Sequence, residues 1–263
     1  MIVTDELARR LESAEALDAV ACAEAACRLY TDCESSVLAA AGGFLTFCGA
    51  TSPLTHALGV GLHGPVSATD VDEVESFFAE RGCSVTIDVS PHADRTFLEE
   101  LTRRNYRVLE MSNVLVRRLN AGEQFAVAHD VSPCEDCATY SQVVICGFFS
   151  REAVTDDEMR IGETLFNMPG AQNLIARIDG RVAGGSAMSA RNGVASLFAD
   201  AVLPDFRRRG VHGAMIAARL NRAVAGGCDV ATAGTQPGSS SQRNYQRLGF
   251  EVAYTKITMV GPG

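Results

Sequence analysis

A chain of 263 residues is longer than a typical domain and holds either one large domain or two small ones, and with 47% hydrophobic residues it can bury a substantial core. Its 23 Lys and Arg against 32 Asp and Glu, a formal net charge of -9, exclude the broad basic surface of a general nucleic-acid binder. The Ala-rich start is broken by Arg9, Arg10, Glu12, Glu15, Asp18 and Glu24, so it offers neither the roughly 20 unbroken apolar residues of a membrane helix nor the uncharged core of a signal peptide, and a cytoplasmic location with no membrane partner is the default expectation.

In chain order, residues 4–30 carry the 3.6-residue periodicity of one or two amphipathic helices, followed by short strand-like runs in "SSVLAA", "FLTFCG" and "THALGVGL". "DVDEVESFFAERG" predicts a helix, "CSVTIDVS" a strand, "ADRTFLEELTRRN" a helix and "YRVLEMSNVLVRRL" a long strand. The second half repeats this order. "AQNLIARIDG" and "RVAGGSAMSA" form a hairpin through Asp179 and Gly180, and "GVASLFADAVLP" is a strand. "VHGAMIAARLNRAVAGG" is a helix, "CDVATAGT" a strand, "SSSQRNYQRLG" a helix and "FEVAYTKITMV" a closing strand. Gly82 and Cys83 correspond to Gly227 and Cys228 at an offset of 145 residues, and Tyr106 to Phe250 at 144. Two landmarks holding nearly the same offset across a helix and two strands indicate an internal duplication, with the boundary in the polar stretch Leu119–Gln124. The expected domains are therefore 1–120 and 121–263.

Nine cysteines, odd in number, are scattered over the chain, which argues against a disulfide framework. Cys134 and Cys137 stand at metal or redox spacing in "PCEDC" but lack the second pair that would complete a zinc site, so no metal is expected. A thiol or metal protein built on that pair is the least favoured reading.

The chemistry concentrates in "PDFRRRGVHGAM", where three arginines occupy the connection between a strand ending at Pro204 and a helix resuming after Gly210. A helix start carries amide donors without internal partners and about half a positive charge, which makes it an anion site. Gly210 allows close backbone approach or a positive φ, Gly213 and Ala214 keep the next turn uncrowded, and Arg207, Arg208 and Arg209 add charge suited to a pyrophosphate. The alternative is a solvated surface loop.

"AVLPDFRRRGVHGAMI" resembles the acetyl-CoA loop of the GNAT (GCN5-related N-acetyltransferase) superfamily, whose pattern of Gln or Arg, two residues, Gly, one residue, Gly or Ala falls on Arg207, Gly210 and His212. His212 departs from the small residue of that pattern; it either meets a phosphate oxygen or is a helix residue that touches no ligand. "SSSQRNYQRLGFEVAYT" is similar to the family segment in which a helix bearing a tyrosine precedes a "GF" turn into a long strand. The resemblance spans roughly Phe125 to Val260. It implies an α/β (mixed α+β) fold of two GNAT-like domains in tandem, each a central, mostly antiparallel sheet flanked by helices.

By the same resemblance, acetyl-CoA is the acyl donor. The loop through Val211 would hold its diphosphate, and the strand at Ala201, Val202 and Leu203 would pair with the pantetheine arm where the family opens its sheet into a V-shaped slot. Gly238 stands where many members have asparagine, leaving Ser241 or Asn244 to make that contact. Tyr245 would be the general acid: a phenol with an ordinary pKa of about 10 keeps its proton at neutral pH for a departing thiolate near 8.5. Tyr245 as an ordinary half-buried tyrosine is the other reading. The first copy reads "LHGP" where Arg207 to Gly210 stand and places Leu101 opposite Tyr245, so it keeps the scaffold and lacks the cofactor loop and the acid.

The implied reaction is direct transfer of an acetyl group to a primary amine of a small molecule or peptide, with a backbone amide near Val202 polarising the carbonyl. An amine of pKa about 10.4 must lose a proton first. Ser196 and Asp200, four apart on one strand, are expected to share a face; Asp200 would be the base, with Ser196 acting through water, or else Asp200 fixes a nearby arginine. Asp156, Asp157, Glu158 and Glu163 either attract a cationic acceptor or begin a helix. A catalytically inactive acyl-CoA sensor is the alternative function, and a homodimer is left open.

Overall fold

The computed structural model describes residues 3–262, so the outermost positions of the two expected domains lie outside the described residues. The first half runs α1 (Asp5–Leu29), β1 (Ser36–Ala40), β2 (Gly43–Phe47), β3 (His56–Leu58), α2 (Ala68–Ala79), β4 (Thr86–Val89), α3 (Arg95–Arg103) and β5 (Arg107–Arg118). The second runs β6 (Asp130–Pro133), α4 (Cys137–Phe149), α5 (Asp156–Phe166), β7 (Gln172–Ile178), β8 (Arg181–Arg191) and β9 (Val194–Val202). After a 3-10 turn at Pro204–Phe206 come α6 (Val211–Ala225), β10 (Val230–Thr235), α7 (Ser240–Arg247) and β11 (Glu251–Val260). The order β1-β2-β3-α2-β4-α3-β5 recurs as β7-β8-β9-α6-β10-α7-β11, which is the duplication read from the sequence. The fold is mixed α/β, with mostly antiparallel sheets flanked by helices. None of the described helices is long and apolar enough to cross a membrane.

The compact units divide the chain differently from the expected 1–120 and 121–263: one holds residues 3–114 with 253–262, the other 115–252. The reason lies in the two long strands, β5 with 12 residues and β11 with 10, each of which contributes one end to either unit.

In the first unit the strand order is β1-β2-β3-β4-β11, antiparallel except for β3 with β4. Ile257–Val260 of β11 pairs with Thr86–Val89 of β4. The core forms where Val71, Val74 and Phe78, spaced three and four apart on α2, meet Leu45, Ile87 and, from α3, Phe97 and Leu101. Each of these large side chains gains about 1.5–3 kcal/mol from leaving water. α1 is one helix, capped by Thr4, whose side chain accepts from Leu7 N–H at 3.2 Å. It buries Glu12 as well as its alanines. Glu12 accepts from Tyr254 Oη at 2.8 Å and pairs with Lys256 Nζ at 3.5 Å, and Glu15 also pairs with Lys256.

In the second unit the order is β5-β10-β9-β8-β7-β6. The β7–β8 hairpin turns through Asp179 and Gly180 at φ 51° and 75°, the positive-φ pair that a right-twisted two-residue loop requires. One face of the sheet packs Met188, Ala195 and Leu197 against Ile216, Leu220 and Tyr245; the other packs Ala187, Phe198 and Ala201 against Tyr140, Val143 and Val144 of α4.

Candidate cofactor cleft

All elements of the cleft belong to the second unit. α6 forms because Ile216, Leu220 and Ala223 repeat at helical spacing toward the sheet. Its N-cap is Gly210 at φ 80°, and no side chain caps it. Arg208 is also left-handed, at φ 60°, so the chain turns twice within three residues before entering the helix. The first-turn N–H groups of α6 therefore face outward without a side-chain acceptor, at the positive end of a 15-residue helix. The matching helix of the first copy, α2, closes its own start: Ser67 and Asp70 form a capping box. Of these two helix starts, the one behind Gly210 is left without a side-chain cap.

The α6 start opens into a cleft of about 980 Å³. Ala201, Val202, Arg207, Arg208, Gly210, Val211, His212, Gly213, Ala214, Ser241 and Asn244, all expected at the cofactor, line it. Two expected residues do not. Leu203 turns toward the Phe206 cluster, its N–H bonded to Ala183 O at 3.0 Å, and Arg209 lies over the Phe206 ring at 5.6 Å with Asp179 at 3.9 Å. The Arg207 guanidinium is spent on the protein itself, donating to Val202 O at 3.1 Å and to Gly147 O and Ser150 Oγ at 2.8 Å. It ties α4 to the loop, so its free charge is not what meets a phosphate. α4 comes this near because residue 147 is glycine: a Cβ there would stand 2.9 Å from Ala201 Cβ.

The wall formed by β9 has two irregularities. Its parallel ladder with β10 runs from Val194↔Val230 to Ser196↔Thr232 and stops, although the strands continue to Val202 and Thr235. The sheet opens there. Beyond that point Ala199 adopts φ 55° and the β8 register shifts between Gly185 and Ala187, so three steps on β9 match two on β8. This bulge reverses the alternation of faces. The expectation that Ser196 and Asp200 share a face is therefore corrected. Ser196 sits between Ala195 and Leu197, which both face the α6 side, and so points the other way, its buried hydroxyl without a partner; Asp200 points to the α6 side.

There Asp200 meets a buried cluster. Arg219, with 0% exposure, bonds it and also donates to Met215 O at 3.2 Å, Ala187 O at 2.9 Å and Phe198 O at 3.2 Å. The Tyr245 hydroxyl donates to the other carboxylate oxygen. Burial alone would raise the Asp200 pKa; the Arg219 guanidinium, with His212 and the Tyr245 hydrogen bond, overcomes it and holds the carboxyl well below the usual range. Of the two roles considered for Asp200, the geometry shows the partner of an arginine. Tyr245 is 1% exposed and does not line the cleft; burial and the Asp200 charge push its phenol well above the ordinary value. His212 does line the cleft, its Nδ1 3.1 Å from Asn244 Nδ2 and its Nε2 3.5 Å from Asp200 Oδ1.

The sequence reading missed Arg219, Arg243, Arg247 and Phe148. The last three line the cleft. Arg219 had a legible signal: a cation four residues from Met215 and Ala223, on the apolar stripe of its helix. The acidic run at Asp156 proves to be a helix start. Thr155 and Glu158 form a capping box there, and Glu158 also pairs with Arg151. Cys134 and Cys137 bond elsewhere, Cys134 Sγ to Asp136 O at 3.4 Å and Cys137 Sγ to Asn167 Nδ2 at 3.6 Å.

A model of the Acetyltransferase (GNAT) family matches residues 141–250. Among solved structures, a GCN5-related N-acetyltransferase from Kribbella flavida superposes with a TM-score of 0.65 at 17% identity, covering 94% of this chain and 95% of that one. A GCN5-related N-acetyltransferase from Sphaerobacter thermophilus gives a TM-score of 0.57 at 14% identity, over 87% of this chain and 77% of that one. A tandem GNAT protein from the clavulanic acid biosynthesis pathway gives 0.55 at 12%, over 87% and 80%. At these identities the likeness is one of fold. A search of curated proteins returns no match.

Proposed function

Residues 141–250 being a GNAT acetyltransferase domain, we propose that the chain transfers an acetyl group from acetyl-CoA directly to a primary amine of a small molecule or peptide. The observation that supports this is the uncapped start of α6 behind Gly210, opening into a cleft large enough for an extended nucleotide thioester. First-turn amides of α6 and the Arg208 side chain would hold the diphosphate. Arg243 and Arg247 add positive charge along the same wall. The pantetheine arm would lie along β9 at Ala201 and Val202, past the end of the β10 ladder, with Asn244 and Ser241 within its reach. Acetyl-CoA supplies the activated acyl group, and the backbone of β9 near Val202 would polarise its carbonyl. Phe148, 70% exposed on the α4 side of the cleft, presents an apolar surface to the incoming acceptor.

The test is calorimetric titration with acetyl-CoA and CoA. The wild type is expected to bind both. Gly210→Val should weaken them at least about tenfold, because a β-branched residue at φ 80° costs roughly 1–2 kcal/mol and drags the loop away from the ligand. Equal affinity in the variant sinks the loop assignment. Binding without thiol release against a panel of primary amines would favour the acyl-CoA sensor over the transferase.

A further inference from the structure

Once the acceptor ammonium has lost its extra proton to solvent, acyl transfer to the neutral amine leaves one proton to be moved: the attacking nitrogen must lose it, and the departing thiolate must gain it. The two carriers suggested by the sequence are both engaged. Asp200 is bound by Arg219, and the Tyr245 hydroxyl, which does not line the cleft, is given to Asp200.

His212 is the titratable side chain beside them that lines the cleft, with a side chain 13% exposed. Its ring is held from three directions. Arg247 Nη1 donates to Asn244 Oδ1 at 2.9 Å, which orients that amide so that Nδ2 donates to His212 Nδ1 at 3.1 Å. Nδ1 is then the basic nitrogen and Nε2 carries the hydrogen. Nε2 is buried, has no hydrogen-bond partner, and stands 3.5 Å from Asp200 Oδ1. Tyr245 packs edge-on against the ring at 5.5 Å. Of the charged and titratable groups, Asp200 from β9 and Tyr245 from α7 meet the ring itself, Arg247 from α7 stands behind Asn244, Arg219 from α6 behind Asp200, and Arg208 from the loop and Arg243 from α7 line the same cleft. The Asp200 carboxylate faces the Nε2 edge of the ring and leaves Nδ1 toward the cleft side as the edge at which a proton could be exchanged.

Resting on the transferase reading above, we propose that His212 carries this proton, with Asp200 as its positioning residue. As the C–N bond forms, Nδ1 takes the amine proton, directly or across one water, having exchanged its Asn244 hydrogen bond when that amide turns to the pantetheine arm. As the C–S bond breaks, the same proton passes from Nδ1 to the CoA sulfur. One N–H is lost, one S–H is made, and the ring returns neutral.

The experiment follows thiol release from acetyl-CoA across pH 5.5–9.5, with spermidine or, in its place, water as acceptor, alongside calorimetric CoA binding. His212→Ala is expected to bind CoA within about 3-fold of wild type while thiol release falls about 10²- to 10⁴-fold and loses the acidic limb of its kcat/KM profile. Added imidazole should restore part of the rate, which a merely structural role would not allow. Asp200→Asn should lower kcat more than it raises KM, since the ring loses the carboxylate that holds its Nε2 edge. His212→Gln serves if the alanine variant does not fold. Turnover within about 3-fold of wild type, with an unchanged profile, overturns the proposal. A wild type that binds CoA but releases no thiol to either acceptor refutes the transferase reading in favour of the sensor, and the proton carrier falls with it. A wild type that does not bind CoA at all refutes the transferase reading itself and the proton carrier with it.

Discussion

Arg219→Met lowers the unfolding free energy by about 3–5 kcal/mol, the cost of leaving a buried carboxylate without its cation. Arg219 is wholly buried, and its guanidinium satisfies Asp200 and three backbone carbonyls at once, two of them on strands of the opened sheet. Methionine fills the volume and satisfies none of them. The coupling is tested by the double variant Arg219→Met, Asp200→Asn, which should recover part of the loss because no unpaired charge remains. Urea unfolding at pH 7 reads both, and a loss below about 1 kcal/mol in the single variant would show that water solvates Asp200. The pH dependence follows from the depressed Asp200 carboxyl. Its stabilisation is present above the ordinary carboxyl pKa of about 3.9 and is lost as pH falls through the lower folded value. Wild-type stability should therefore fall below about pH 4, and Asp200→Asn should flatten that fall.

Lys256→Met in the first unit is expected to be comparably damaging at neutral pH, about 3–5 kcal/mol, with the opposite response to acid. Lys256 has a 6% exposed side chain and stands against Glu12, itself 2% exposed, and Glu15. Burial raises the Glu12 pKa, and Lys256 is the main opposing influence. Without the ammonium, the folded-state pKa of Glu12 climbs further above its unfolded value. A carboxyl raised in this way destabilises the fold as pH rises, so the variant's deficit should shrink as pH is lowered from 7 toward about 4, where Glu12 is protonated in both states. Glu12→Gln in the same background should remove most of that slope. Thermal unfolding at pH 5 and pH 7 decides it: an equal deficit at both values would mean that Glu12 is not the group left stranded.

The alternation of helices and strands was legible because it is written twice at nearly the same offset, and because hydrophobic period distinguishes the two element types. β6 was not. Asp130–Pro133 is four residues ending in proline, without an apolar alternation to announce it. The loop at Gly210 was legible through the chemistry of glycine and arginine at a helix start. The bulge was not, because its positive φ falls on Ala199, and with no glycine to mark it the four-residue spacing of Ser196 and Asp200 read as a shared face. Glu12 and Lys256 pair across 244 positions of sequence, a distance no local pattern spans. Arg207 shows a different limit: its motif position was right, yet its guanidinium serves Gly147 and Ser150, which only the close approach of α4 reveals.

The route of β11 has a bearing on how the molecule is made. Synthesis delivers Thr86–Val89 long before Ile257–Val260, so a nascent first unit leaves the ribosome with one strand flank unmatched and a core missing Met259. That half cannot mature on emergence. It must wait, guarding a row of open amides and carbonyls against self-association, until the rest of the polypeptide has been translated, and the last strand to be translated sets the moment at which the first-made half becomes whole.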